Sequence, residues 1–159
     1  MSYIKNHKYE KGCFFCDELE QADGVENLIV FRSQRAFVIL NRYPYTSGHL
    51  MIVPFDHQPS LEQLDAATRA DMMELSNRAI QVLQAEYGAQ GFNLGINIGE
   101  VAGAGVVDHV HIHIVPRWAG DTNFMSALAQ TRVIPEALEE TYRRIFKTWR
   151  GLEGDQEAM

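Results

Sequence analysis

The sequence predicts an α+β domain: a five-stranded antiparallel sheet with one long helix on its apolar face and a second helix near the C-terminus. Three patterns point there. Five short segments carry strand signals, one long stretch between the third and fourth has helical periodicity, and His109–Ile114 alternates strictly between histidine and an aliphatic residue. Strands, a helix, two more strands and a final helix make an antiparallel α+β order.

The first two strands, Leu28-Ile29-Val30-Phe31 and Ala36-Phe37-Val38-Ile39-Leu40-Asn41, are separated by the polar turn Arg32-Ser33-Gln34-Arg35, which reads as a hairpin. The third, His49-Leu50-Met51-Ile52-Val53, stops at Pro54. The helix is expected from the capping-box pattern Ser60-Leu61-Glu62-Gln63 to a stop at Gly88, its apolar stripe carried by Leu64, Met72, Leu75, Ala79, Val82 and Leu83. The fourth strand, Phe92–Gly99, has apolar even positions and Asn or Gly at odd ones, the pattern of a half-buried strand. The fifth is the histidine segment, 108–115. A last helix fits Pro135 to about Trp149, with Leu138, Tyr142, Ile145 and Trp149 on one stripe. Residues 1–150 are expected to form one domain and 151–159 a frayed tail.

At 159 residues, 46% hydrophobic and 22% charged, the chain has the composition of an ordinary globular protein. The formal charge of −7, with Lys and Arg scattered, argues against a long nucleic acid as partner, because a phosphate backbone demands a basic stripe. No run approaches 18 apolar residues and the N-terminus has no apolar leader core, so neither membrane spanning nor secretion is expected. Two cysteines in a C-x-x-C are unlike a secreted disulfide framework, and the expected location is cytoplasmic.

Three of six histidines fall within five residues, at His109, His111 and His113. On a strand, alternate side chains share a face about 6–7 Å apart, while Val110, Ile112 and Ile114 turn to the other. Such a row admits three readings: a solvated sheet face, a metal site, or covalent catalysis by imidazole. For the last, a neutral imidazole whose second nitrogen is held as a donor aims a lone pair at phosphorus, and neighbouring rings bind phosphate or protonate a leaving oxygen. Just upstream, Gly99–Val107 is rich in small residues, and its backbone N–H groups, around Gly103 and Gly105, suit an anion.

His109-Val-His111-Ile-His113-Ile-Val115 resembles the signature of the histidine triad (HIT) family, and Asn41-Arg-Tyr-Pro-Tyr-Thr-Ser-Gly48-His49-Leu-Met-Ile-Val-Pro54 resembles that family's second motif. The resemblance spans roughly residues 12–120. Over Asn97 to Phe124 it is most like the actinobacterial diadenosine tetraphosphate phosphorylase branch. It implies a nucleotidyl hydrolase or transferase acting on dinucleoside polyphosphates through a nucleotidyl-histidine, with His111 as nucleophile and His113 and His49 beside the phosphate. It also implies Asn41 at the ribose and Ile39 and Leu40 bordering the base. Where relatives place Gln or Ser ahead of the triad, this chain has Ala104-Gly105-Val106-Val107, so backbone groups must do more, with Asn97 as a side-chain substitute.

Cys13-Phe14-Phe15-Cys16, in an N-terminal hook over residues 10–18, could be a redox pair, two buried thiols, or half of a zinc site. Zinc-bearing members of the superfamily imply the other two ligands, His57 and His109, for a structural zinc. The rival readings are a nucleotide-binding scaffold with incidental turnover and an enzyme with a metal on the triad itself. A homodimer is implied by the family, with a tetramer allowed in the phosphorylase branch.

Overall fold

The computed structural model describes residues 11–121 and 136–157, without the side chains of 155–157. Helix α1 (Phe14–Leu19) is followed by strands β1 (Ile29–Arg32), β2 (Ala36–Leu40) and β3 (Leu50–Pro54). Helix α2 (Ala66–Tyr87), strands β4 (Gly91–Gly95) and β5 (Ile112–Arg117) and helix α3 (Leu138–Glu157) complete the order. The five strands form one sheet in the order β1-β2-β3-β5-β4, antiparallel at every neighbour. The expected fold class is the observed one.

The register divides the sheet's residues between two faces. Leu40 pairs with Leu50 and Leu50 with Ile114, while Ile39 pairs with Met51 and Met51 with His113. Alternation therefore puts Val38, Leu40, Leu50, Ile52, Ile112 and Ile114 on one side and Phe37, Ile39, Met51, Val53 and His113 on the other. The first side meets α2 and α3: Trp149 of α3 stacks on Phe31, the partner of Val38. The second is covered at its β2 end by Phe15 of α1, edge-on to Phe37. Both faces are dry, which is why every residue of β2 and β3 is buried.

Four boundaries differ from the sequence reading. Ser60–Gln63 does not open α2; Leu61–Gln63 is a 3₁₀ turn, Leu64 is extended (ψ 149°), and the helix is capped by Asp65, whose Oδ1 accepts the Thr68 N–H at 2.7 Å. Leu64 is buried at the turn instead of on the helical stripe. Strand β4, at the sheet's edge, ends at Gly95, and the apolar positions of the expected strand are less covered than the alternation suggests: Leu94 and Ile98 are 44% and 43% exposed. Strand β5 begins only at Ile112, so His109 and His111 precede the ladder. There the Val110 N–H donates to the Gln58 carbonyl and the His109 ring to Pro54 O. Finally, residues 151–157 are helical and continue α3, with Arg150 and Glu153 paired along it. Pro135, the expected start of that helix, and residues 122–124 of the family-like stretch lie outside the described residues.

Two glycines end or shape elements for different reasons. Gly88 terminates α2 in the left-handed region (φ +58°) with open space about it, as the sequence predicts. Gly48, at φ +83° before β3, also lies where a Cβ would come within 2.8 Å of Leu83 Cδ2 on α2. The backbone of the loop leading into His49 thus rests directly on the helix. Gly88→Ala should cost about 1 kcal/mol, the left-handed penalty alone. Gly48→Ala should cost about 3 kcal/mol, because overpacking adds to that penalty. Urea denaturation of the two variants checks the difference, and equal losses would refute the close-packing argument.

Candidate active site

The site lies on the sheet face opposite α2 and α3. Asn41, at the end of β2, donates its backbone N–H to the His49 carbonyl (3.0 Å), extending the β2–β3 pairing by one step. His49 is thereby set at the mouth of β3, beside the Asn41 amide (3.4 Å) and in contact with His113. His111 stands just before β5, its ring 4.8 Å from that of His113, and His109 lies beyond it. The alternating row reaches one face as predicted, but its far end is recruited to a different cluster.

The hydrogen bonds assign the ring protons, since a neutral imidazole has one donor and one acceptor nitrogen. His111 Nδ1 lies 2.9 Å from the His109 carbonyl, which can only accept, so Nδ1 carries the proton and Nε2 is a free lone pair. His49 Nδ1 accepts the Tyr45 backbone N–H (3.2 Å); its Nε2 therefore carries a proton and donates to His113 Nδ1 at 2.9 Å. His113 is left with Nε2–H to offer, and it is the least buried of the four rings. The product is one lone pair and one N–H donor on adjacent rings.

Burial keeps the rings neutral. It is the leading cause that holds His49 and His113 at about 4, with further depression of His49 from His113 and His111 and of His113 from His111. His111 is also pushed down by burial, partly offset by its bond to the His109 carbonyl. All are bases in their uncharged form near pH 7.

A second cluster adjoins the first. Cys13 Sγ, Cys16 Sγ and one nitrogen each of His57 and His109 lie within 4.8 Å of one another. His109 Nε2–H donates to Pro54 O (2.9 Å), which leaves Nδ1 as a lone pair directed at Cys13 (3.4 Å) and Cys16 (3.7 Å). His57 Nδ1 stands 3.4 Å from Cys16 Sγ. Two thiols and two imidazoles, one with its second nitrogen anchored to a carbonyl, form a donor set suited to a tetrahedral soft-to-borderline metal. Among the described residues this is the one such cluster.

The remaining expected contacts fall unevenly. Ile39 shares the histidine face, but Leu40 alternates to the helix side beneath Leu50 and cannot border a base there, a correction to its expected role. Asn97 donates its side-chain amide to the Gly103 carbonyl (3.4 Å), so it shapes the glycine loop. Gly99 and Gly103 are left-handed (φ +85° and +86°) about the 3₁₀ turn Glu100–Ala102, and Gly105 lies farther along the loop beside Cys13 and His57.

Sequence reasoning missed three contributors. Tyr45 acts through its backbone N–H and a ring 4.9 Å from that of His49; Thr46 ties the loop to the Pro116 carbonyl; and Phe15 packs on two histidines. None has a pattern to find: Thr46 and Phe15 meet segments distant in the chain, and Tyr45 bonds through a backbone N–H that nearly any residue type would supply.

A model described as the HIT domain matches residues 23–120. The chain belongs to the HIT domain family. It is 39% identical to an AP-4-A phosphorylase of Mycobacterium tuberculosis over 132 residues, 83% of this chain and 68% of the relative. It is 30% identical to a bis(5'-nucleosyl)-tetraphosphatase [asymmetrical] of Schizosaccharomyces pombe, over 61% of this chain and 53% of that one. Among solved structures, a Zn-bound histidine triad family protein from Mycobacterium smegmatis superposes with a TM-score of 0.73 at 27% identity, covering 91% of this chain and 97% of that one.

Because His49 and His113 resist protonation in the fold, the unfolded chain binds more protons than the folded one between about pH 6.5 and 4. Their contribution to stability is complete above pH 6.5 and is lost as the pH falls toward 4. Thermal unfolding should show that decline in the HIT protein, with a shallower slope in His49→Asn. Parallel slopes for the two proteins would contradict it.

Proposed function

We propose that this HIT protein cleaves dinucleoside polyphosphates, diadenosine tetraphosphate among them, through a nucleotidyl-His111 intermediate. The observation that carries the reading is the His111 Nδ1–H bond to the His109 carbonyl, which leaves Nε2 unprotonated beside the donor Nε2–H of His113. In the first step Nε2 of His111 bonds to the α-phosphorus and the bridging P–O bond breaks. The departing oxygen takes a proton or hydrogen bond from His113, which His49 backs. In the second step an acceptor oxygen attacks the same phosphorus and the N–P bond breaks. Backbone N–H groups near Gly103 and Gly105 receive the phosphate oxygens, Asn41 the ribose, and Ile39 the base.

We favour inorganic phosphate as acceptor, on the likeness to the mycobacterial AP-4-A phosphorylase. Phosphorolysis of diadenosine tetraphosphate yields ADP and ATP, whereas hydrolysis yields AMP and ATP. Separation of products with and without phosphate distinguishes the two. His111→Ala should lower turnover by ~10³-fold or more, the scale seen when a catalytic nucleophile is removed. A variant near the wild-type rate would refute the assignment.

The metal we assign to Cys13, Cys16, His57 and His109 is zinc, supported by the donor set and by the zinc-bound relative of Mycobacterium smegmatis. With four protein ligands it would be structural, tying the N-terminal hook to the segment that presents His111. Cys13 is only half-buried and borders a cleft with Gly12, His57, Gly105 and Asp108, so a chelator has access. Metal analysis should give one zinc per chain, and Cys13→Ser should lose it along with several degrees of Tm. Full retention of zinc in that variant would overturn the ligand set.

We further propose a homodimer, with exposed Leu94 of edge strand β4 and Ile98 just beyond it as the surface a second copy would cover; a tetramer is the larger form this allows. Among the described residues no helix is long and apolar enough to cross a membrane. Cys13 and Cys16, which are not joined in a disulfide, fit a reducing cytoplasm.

A further inference from the structure

The hook that carries the cysteines also touches the nucleophile. Phe15, between Cys13 and Cys16 in the chain, is 1% exposed. Its ring meets His109 edge-on (centroids 5.4 Å, 75°) and His111 at a closer, tilted approach (4.9 Å, 58°). Behind it stand Phe37 (6.5 Å) and Phe14 (5.3 Å), both near-perpendicular. Phe14 in turn lies beneath the Arg42 guanidinium, which donates to the buried Glu18 carboxylate at 3.0 Å and to the Glu26 carbonyl at 2.7 Å. Arg42 directly follows Asn41. The hook is therefore clasped at both ends of the histidine row, by the cysteine cluster at one and by Glu18–Arg42 at the other.

One hydrogen bond does not orient an imidazole. The bond from Nδ1–H to the His109 carbonyl fixes which nitrogen is protonated, yet the ring can still pivot about that bond and swing Nε2 across the site. A rigid contact against the ring's face removes that freedom, and a well-aimed nucleophile is worth orders of magnitude in rate.

We propose that Phe15 is a positioning residue for His111: its ring sets the plane of the imidazole and with it the direction of the Nε2 lone pair. The proposal rests on the nucleotidyl-histidine reading and deepens it. Phe15 is held by a cysteine on either side, so the aim of the nucleophile depends on a closed hook. The residues that would hold the metal thereby stabilise the geometry of the site without entering its chemistry.

The test uses Phe15→Leu, which keeps an apolar side chain of similar reach but loses the flat ring, and Phe15→Met as a second, more pliable replacement, both in the full chain. Three quantities are measured: the single-turnover rate of His111 nucleotidylation by diadenosine tetraphosphate, the Kd for AMP, and the ring-nitrogen NMR shifts of His111. The visible spectrum of the cobalt-substituted protein reports separately on the hook. Phe15→Leu should slow nucleotidylation by ~10- to 100-fold, leave AMP affinity within about twofold, perturb the His111 shifts and preserve the cobalt–thiolate bands. Phe15→Met should fall between it and wild type. Unchanged nucleotidylation with unchanged shifts overturns the proposal. So does a joint loss of rate, AMP affinity and cobalt bands, which would mean that Phe15 only supports the fold. Should wild type form no adduct while Phe15→Leu still moves the His111 shifts, the nucleophile reading fails and the orienting contact stands.

Discussion

The bond from the His111 ring to the backbone carbonyl of His109 is the constraint on which this site depends. An imidazole near neutral pH has two tautomers of similar energy, and only one exposes a lone pair at Nε2. A carbonyl, having no proton to give, selects that tautomer. It does so reliably because the same residue is fixed through its side chain: Nε2–H to Pro54 and Nδ1 toward Cys13 and Cys16. One histidine thus commits its ring to the cysteine cluster and its main chain to the His111 ring.

The sheet supplies the remaining order. Antiparallel pairing of β2 with β3 and of β3 with β5 brings Asn41, His49 and His113 onto one face. Face-sharing in a sheet is set by register alone, and a slip of one residue would bury the histidines against α2 and α3 and turn Ile112 and Ile114 outward. The apolar pairs Leu50–Ile114 and Ile52–Ile112 prevent that slip. Gly48 brings the loop before His49 down onto Leu83, so the packing of α2 also limits where that loop can go.

Burial gives the histidines their chemical character. Rings near one another and out of water stay uncharged, which makes His111 a base and His113 a neutral donor, not a cation. A polyanion bound as proposed would then meet N–H dipoles more than formal charge, in keeping with a chain of net charge −7. The glycine loop, shaped by positive φ at Gly99 and Gly103 and by the Asn97 amide, is where those dipoles are proposed to lie.

Much of this was legible in the amino-acid order. Period-two alternation of His with Val and Ile announced a strand with two unlike faces, although the ladder itself begins only at Ile112, and the family resemblance joined C-x-x-C to His57 and His109, four side chains whose donor atoms the fold brings within 4.8 Å. Local pattern failed where a tertiary contact outweighed it. Ser60 resembled a helix cap, yet Asp65 took that place; the chain from Gly151 read as a frayed tail, yet α3 runs through it to Glu157. Leu40 seemed a neighbour of the base until the register turned it under the helices. What the chain determined by itself is the choice of side chains and their spacing along each strand, because those follow from the periods of the backbone. Only the tertiary structure decided which nitrogen of each ring bears the proton, and that Phe15, some hundred residues from His111 in sequence, rests against it. Both depend on partners that chain folding alone brings within reach.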